Sequence, residues 1–327
     1  MAPAEPMSSR PAVIRTRVQS RLAAIPGTSG LLIPLAIFWL LLTLTTPVFL
    51  TQANLTNLLL QASIVGLLSV GTTVVIITEE IDLSIGAVEG LAAVVTGILI
   101  VSNGVPWPIG VVLAIALGIL TGLLNGWVTT GLRVPSFIVT LATLGIFTGV
   151  ALYATNGQSI FGFPEGFRVI GVAAIGGIRL PVFLTLGLVL ILHFILTRTK
   201  LGLAFYSVGG NKKAASLVGI NVNRVKILAF CISGGAAALA GVVQAARLDS
   251  ANGTFGSSDL LDAIAAVVIG GTRLTGGVGS ILGTALGVLL VATIRNGMNL
   301  WNVSPFLQQI VVGGIILVMG IATSRRE

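Results

Sequence analysis

Residues 74–90 read "VVIITEEIDLSIGAVEG". Two apolar runs meet in this stretch around Glu79, Glu80, Asp82 and Glu89, so four of the ten acids of the chain fall within seventeen residues. The run before them, Leu55–Thr78, is long enough to cross a bilayer at about 1.5 Å per residue. The run after them starts at Ile85, and the acids therefore sit where one span ends and the next begins. A polar turn between two spans is the signature of a helical membrane bundle.

The rest of the chain agrees. Its 327 residues have a mean hydropathy of +1.05, with 55% hydrophobic and 9% charged residues. Soluble domains carry about 25% charged residues, and 9% cannot cover a soluble surface. The fold class is all-α, a polytopic membrane protein. About ten stretches qualify as transmembrane helices, from Leu31–Leu50 and Leu55–Thr78 to Ile281–Ile294 and Ile310–Ala322. Leu260–Gly270 and the last are short.

Charge sets the orientation. With residues 1–29 read as a disordered basic cytosolic tail, fourteen Lys and Arg fall on the inner side and only Arg168, Arg179, Arg247 and Arg295 on the outer. The positive-inside rule then places both termini in the cytosol, with residues 30–323 as the transmembrane domain and 324–327 as a cytosolic end. The net charge of +8 is thus topology rather than a nucleic-acid footprint. Cys231 is the single cysteine, which excludes an intrachain disulfide. No Gly-Lys dipeptide occurs, so a Walker A phosphate loop is excluded. No metal cluster or catalytic set is visible, and nothing argues for an enzyme.

Three regions carry chemistry. In the opening stretch, Asp82 or Ser84 can cap the third span, or Glu79, Glu80, Asp82 and Ser84 can line a gate at the cytosolic mouth of the bundle. Glu89, one to two turns inside the span, favours a cavity or a partner, because an intramembrane acid is costly. The second region is the loop 197–226, which contains "NKKAASLVGIN" (211–221). It reads as a short helix capped by Asn211, with Ala214, Ala215, Leu217 and Val218 as its apolar face and Gly219 as its stop. It is either a solvated loop or a docking helix for a cytosolic partner. The third is "AAVVIGGTRLTGG" (265–277), which can be laid on 74–86 as a weak internal repeat. Asp82 then falls on Arg273, its candidate partner. "GGAAALAGVV" (234–243) and "GTALGVLL" (283–290) are small-residue faces for close helix packing.

Three motifs in this order, "IDLSIG" (81–86), "VGGNKKAASLVGINVNRVKILAF" (208–230) and "LDAIAAVVIGGTRLTGGVGSILGTALG" (261–287), resemble the ribose-type permease subunits of bacterial ABC sugar importers, within the branched-chain amino acid and ribose permease superfamily. The resemblance covers about residues 50–320. It implies a ten-helix subunit in the cytoplasmic (inner) membrane, paired as a homo- or heterodimer. It also implies a cytosolic ABC ATPase that holds ATP-Mg and an extracytoplasmic sugar-binding protein; this chain itself holds no cofactor. Asn211, Lys212, Lys213, Ala214, Ala215, Leu217 and Gly219 match the segment that couples to the ATPase. The family has one or two glycines before its Ile-Asp-Leu-Ser, where this chain has Glu79 and Glu80. The function implied is import of a monosaccharide or polyol by alternating access, with Glu79, Glu80, Asp82, Ser84, Glu89 and Arg273 on the gate or path. Gln61, Asn125, Gln158 and Glu89 are candidate substrate contacts. The alternatives are a branched-chain amino acid or nucleoside as cargo, an ion-coupled transporter using the acids at 79–89, and a purely structural membrane subunit.

Overall fold

The computed structural model describes residues 28–324, with side chains from 30 to 318. The expected tail 1–29 lies outside the described residues apart from the backbone of Thr28 and Ser29, and so does most of the expected C-terminal end. The helices are α1 (Thr28–Thr45), α2 (Gln52–Ile77), α3 (Ile85–Gly97), α4 (Trp107–Gly131), α5 (Ser136–Thr155), α6 (Glu165–Val172) and α7 (Leu180–Arg198). They continue with α8 (Lys200–Gly210), α9 (Lys212–Leu217), α10 (Val222–Leu248), α11 (Asp259–Ile269), α12 (Ile281–Leu300) and α13 (Pro305–Ser324). A π turn, Ile98–Ser102, extends α3.

Each of the ten expected stretches lies on a helix. Among the described residues, seven helices are long and apolar enough to cross a membrane: α2, α3 with its π turn, α4, α5, α7, α10 and α12. Shorter apolar stretches occupy α1 (Gly30–Thr45) and α13 (Pro305–Val318). α11 has 11 residues, about 16 Å and half a bilayer core.

Burial orders the bundle. The apolar window of α2 is 89% buried, that of α3 with its π turn 72%, that of α12 67% and that of α10 61%, whereas α7 reaches only 22% and α4 and α5 each 28%. α2, α3, α10 and α12 are therefore the interior. The outer helices present Ile191 and Phe194 on α7, and Leu120 and Trp127 on α4, to the surroundings. Lipid offers no hydrophobic drive for helix association, so close backbone approach must replace it. The small-residue faces supply this. A Cβ on Gly122 would lie 2.1 Å from the Phe230 carbonyl oxygen, and one on Gly234 2.1 Å from that of Gly118, so α4 and α10 meet backbone to backbone. Gly287 does the same for α12 and α11, 2.0 Å from the Ala266 carbonyl. Hydroxyls and amides tie α2 to α12: Thr73 and Thr284 lie 2.7 Å apart, and Asn54 and Asn296 exchange two side-chain bonds.

Two minimal antiparallel ribbons complete the fold, Ile160–Phe161 with Ser250–Ala251 and Ala174–Ile175 with Ile178–Arg179. The loop 197–226 is more ordered than its polarity suggested. Thr199 caps α8 through the Gly202 amide, and Asn211 caps α9 through the Ala214 amide at 2.9 Å. The expected short helix is confined to Lys212–Leu217, and Gly219 follows at φ +86°.

Candidate functional site

The site is built on the end of α2. After Ile77 the chain turns with Glu79 at φ +63°, the left-handed region that favours glycine. The Glu79 amide donates to the Ile76 carbonyl and the Glu80 amide to Val75, a helix stop with a residue in the left-handed region. From Glu80 to Ser84 the chain is neither helix nor strand until α3 begins, with Ser84 already in the right-handed helical region. An irregular segment inside an apolar bundle has backbone groups that no helix satisfies. The start of α5 supplies them. The Ile81 amide donates to the Ser136 hydroxyl at 3.1 Å, and the Thr140 hydroxyl donates to the Ile81 carbonyl at 3.2 Å.

Asp82 closes this segment. Its Oδ1 accepts from the Ser84 amide (3.0 Å) and hydroxyl (2.7 Å), and its Oδ2 from the Ser233 hydroxyl of α10 (2.9 Å). Asn125 of α4 donates to the Ser84 hydroxyl at 2.9 Å. The result is one buried polar knot joining α3, α4 and α10. Ser84 starts α3 without a side-chain cap bond; Asp82 accepts from the Ser84 amide just before that helix. Asp82 is 2% exposed, and Ser233 lies seven residues, about 10 Å, along α10 from Lys226. Asp82 is therefore inside the bundle rather than at its mouth.

Glu79 and Glu80 stay at the mouth, and both reach the loop 197–226. Glu79 Oε2 lies 3.0 Å from Lys212 Nζ at the start of α9, with both side chains partly in solvent. Glu80 forms a buried ion pair with Lys226, the fifth residue of α10. Burial opposes the charge of Lys212, but the Glu79 hydrogen bond and the charges of Glu79 and Glu80 outweigh it and hold the ammonium above its ordinary value. These pairs border a cleft of about 510 Å³, lined also by Arg133, Ser136, Asn223 and Leu274.

The expected Asp82–Arg273 pair is not formed. Asp82 is occupied by serines, and Arg273 is exposed, its amide donating to the Val278 carbonyl. The reason is a shift in the repeat. Gly271, at φ +85°, donates to Val268 and Thr272 to Val267, the same helix stop as at Glu79 and Glu80. Glu79 thus corresponds to Gly271 and Asp82 to Leu274, one residue from the pairing expected. The connection after α11 also touches the end of α2, with the Gly277 amide donating to the Ile77 carbonyl at 2.9 Å.

The remaining candidates separate. Glu89 is fully buried with both carboxyl oxygens unpartnered, against the backbone of Gly256 and Gly241. Gln61 lines a small chamber between α2, α10, α11 and α12. Asn125 belongs to the knot, and Gln158 is exposed in the connection after α5. On α9, Ala215 is 3% exposed and packs inward, so it is not part of a docking face; Leu217 and Val218 are 87% and 76% exposed. Lys226, Ser136, Thr140 and Ser233 were missed by sequence reasoning. The signal for Lys226 was a lysine followed by an apolar run at the start of a span.

The chain matches the family described as "Branched-chain amino acid transport system / permease component" over residues 54–320. It is 40% identical to the ribose import permease protein RbsC of Bacillus subtilis (strain 168), covering 91% of this chain and 92% of that protein. It is 39% identical to RbsC of Escherichia coli (strain K12), covering 90% and 93%. Identity to the xylose transport system permease protein XylH of Escherichia coli (strain K12) is 36%, covering 86% and 88%. No solved structure matches it significantly.

Proposed function

This chain belongs to the family of branched-chain amino acid transport system / permease components, and we propose that it is the membrane subunit of an ATP-driven importer of a monosaccharide. The observation that carries the reading is identity of 36–40% to ribose and xylose permeases along almost the whole chain. The subunit lies in the cytoplasmic (inner) membrane with ten spans, α11 being a half-length one, and both termini in the cytosol. It works as a homo- or heterodimer. A separate cytosolic ABC ATPase binds ATP-Mg, and an extracytoplasmic binding protein delivers the sugar.

In this reading Lys213, Leu217, Val218 and Gly219 present the ATPase docking face, while Asn211 and Ala215 hold α9 in place. Motion of α9 passes through Lys212–Glu79, and motion at the start of α10 through Lys226–Glu80, into the irregular segment 80–84. That segment carries the Asp82 knot, which joins three helices and acts as the gate. Ser84 and Asn125 serve the knot. Gln61 faces the path, Glu89 borders it, and Gln158 and Arg273 lie at its two ends. Because Glu79, Glu80 and Asp82 all have partners, an ion-coupled mechanism based on these three loses its support.

The test is uptake of labelled D-ribose and D-xylose into proteoliposomes holding the permease, its ATPase and the binding protein, with wild type and Gly219→Pro. Uptake that requires ATP and is lost in the variant is expected. Uptake that ignores ATP and follows a proton gradient overturns the reading.

A further inference from the structure

The cleft beside the end of α2, of about 510 Å³, falls in the range of small-molecule sites, about 300–1,000 Å³. Its charges do not cancel. Glu79 and Glu80 are met by Lys212 and Lys226. Arg133, on the same wall, forms no ion pair among the described residues. The cleft therefore keeps one uncompensated positive charge. Arg133 follows the C-cap of α4 at φ +59°, a position where glycine is the ordinary choice.

A buried hydroxyl joins that charge. Thr129, four residues before Arg133, is 8% exposed, and its Oγ1 is buried without a hydrogen-bond partner. Thr72, Thr73, Thr96, Thr130 and Thr140 each donate to the carbonyl four residues back, at 2.7–2.9 Å. Thr129 does not, and it lines the cleft, so its hydroxyl is left for whatever the cleft holds. Two helices also begin there. Ser136 and Phe137 open α5, Val222 and Asn223 open α10, and all four line the cleft. The first amides of a helix have no intrahelical acceptor. α5 has no side-chain cap bond, and on α10 Asn221 takes only the Arg224 amide. Both positive helix ends therefore border the cleft. The Ser136 hydroxyl accepts from the Ile81 amide and has its own proton to give.

This set consists of donors and carries a surplus positive charge, so it suits an anion. It offers more donors than the two oxygens of a carboxylate can use. A phosphate group has three terminal oxygens, and helix starts with a guanidinium are its usual partners. The volume leaves room for an organic part, against Val134, Phe137 and Leu274. We propose that this cleft binds the phosphate group of a small soluble ester, held by Arg133, Thr129 and the starts of α5 and α10. In the orientation proposed above the cleft opens to the cytosol. The site goes beyond the reading of the chain as a sugar permease and does not depend on it.

The test is calorimetric titration of the complete transporter, without ATP, in phosphatidylcholine nanodiscs. D-ribose 5-phosphate serves as a probe of suitable size. It is expected to bind, with inorganic phosphate competing and acetate and D-ribose not. Arg133→Gln should weaken binding about tenfold or more and Thr129→Val about fivefold. Arg133→Gly relieves the left-handed backbone, so it should melt no lower than wild type and still lose the affinity, which separates the site from the fold. Equal affinity in wild type and Arg133→Gly assigns the binding to another subunit and overturns the site, as does no binding at all. Acetate binding as well as phosphate overturns the phosphate class. In nanodiscs that also contain phosphatidylglycerol, displacement of the ester from wild type makes a lipid headgroup the occupant and overturns the soluble source. D-ribose uptake enters none of these outcomes, so the sugar permease reading stands or falls separately.

Discussion

Removing one partner of the Glu80–Lys226 pair leaves the other as a buried, uncompensated charge. Glu80 is 8% and Lys226 7% exposed, and breaking a pair at that depth costs about 3–5 kcal/mol, whereas replacing both partners together is close to neutral. Glu80→Gln strands Lys226. Lys226→Met strands Glu80, but Lys212 already feels the charge of Glu80 from the neighbouring pair and can turn toward it. The expected order is therefore Glu80→Gln most destabilising, Lys226→Met intermediate and the double variant least. In thermal unfolding of the purified permease the worst single variant should fall by on the order of 5–10 °C. The coupling energy from the double-mutant cycle should exceed about 1 kcal/mol. Two singles that each cost less than about 1 kcal/mol and simply add would refute the buried pair as the joint between the α2 end and α10.

Four further outcomes follow from the same geometry. Glu79→Gly removes a left-handed glutamate, worth about 1 kcal/mol, and loses a half-exposed pair worth about 0–1 kcal/mol; the midpoint should move little, while coupling of ATP hydrolysis to uptake weakens. Lys212 is held above its ordinary 10.5, so its contribution is complete below that value and lost only as pH rises past it; the small destabilisation by Lys212→Met should be flat across the neutral range in pH-scanned melts. Gly122→Ala drives a methyl to 2.1 Å from the Phe230 carbonyl and should cost about 1–3 kcal/mol, read as a lowered melting midpoint. Leu217→Asp with Val218→Asp alters only exposed positions at the end of α9 and its C-cap and should abolish ATPase co-purification without shifting the midpoint.

The helical membrane bundle was legible because hydropathy acts on long segments: each expected stretch lies on a helix, and seven helices among the described residues are long and apolar enough to cross a membrane. The shortness of α11 was readable in the short run 260–270. The acids at 79–82 were found, and the one partner expected for them, Arg273 for Asp82, was misjudged for a single reason. The repeat was aligned on residue likeness, Leu83 with Leu274 and Gly86 with Gly277, whereas the structure aligns it on backbone shape, Glu79 with Gly271. A glutamate in a glycine conformation conceals that register, and Arg273 was drawn in as a partner by a shift of one residue. Lys226 and Ser233 went unnoticed because a lysine at a span end and a serine among glycines both carry ordinary explanations in a membrane helix.

The clustering of carboxylates in so apolar a chain then has two physical causes that act on different residues. Asp82 is required by the backbone. Once α2 stops and the chain runs through the bundle outside any helix, its free backbone groups need partners where no water reaches; Asp82 accepts from the Ser84 amide, Ser136 from the Ile81 amide, and Thr140 donates to the Ile81 carbonyl. Glu79 and Glu80 satisfy nothing of that kind, since the helix stop is closed by main-chain carbonyls. They serve only to reach Lys212 and Lys226, which belong to the loop and the helix that follows it. A backbone requirement alone predicts that Glu80→Gln is tolerated while Asp82→Asn is not. A mechanical link predicts that both fail, Asp82→Asn by loosening the knot and Glu80→Gln by freeing the loop from a gate that still closes.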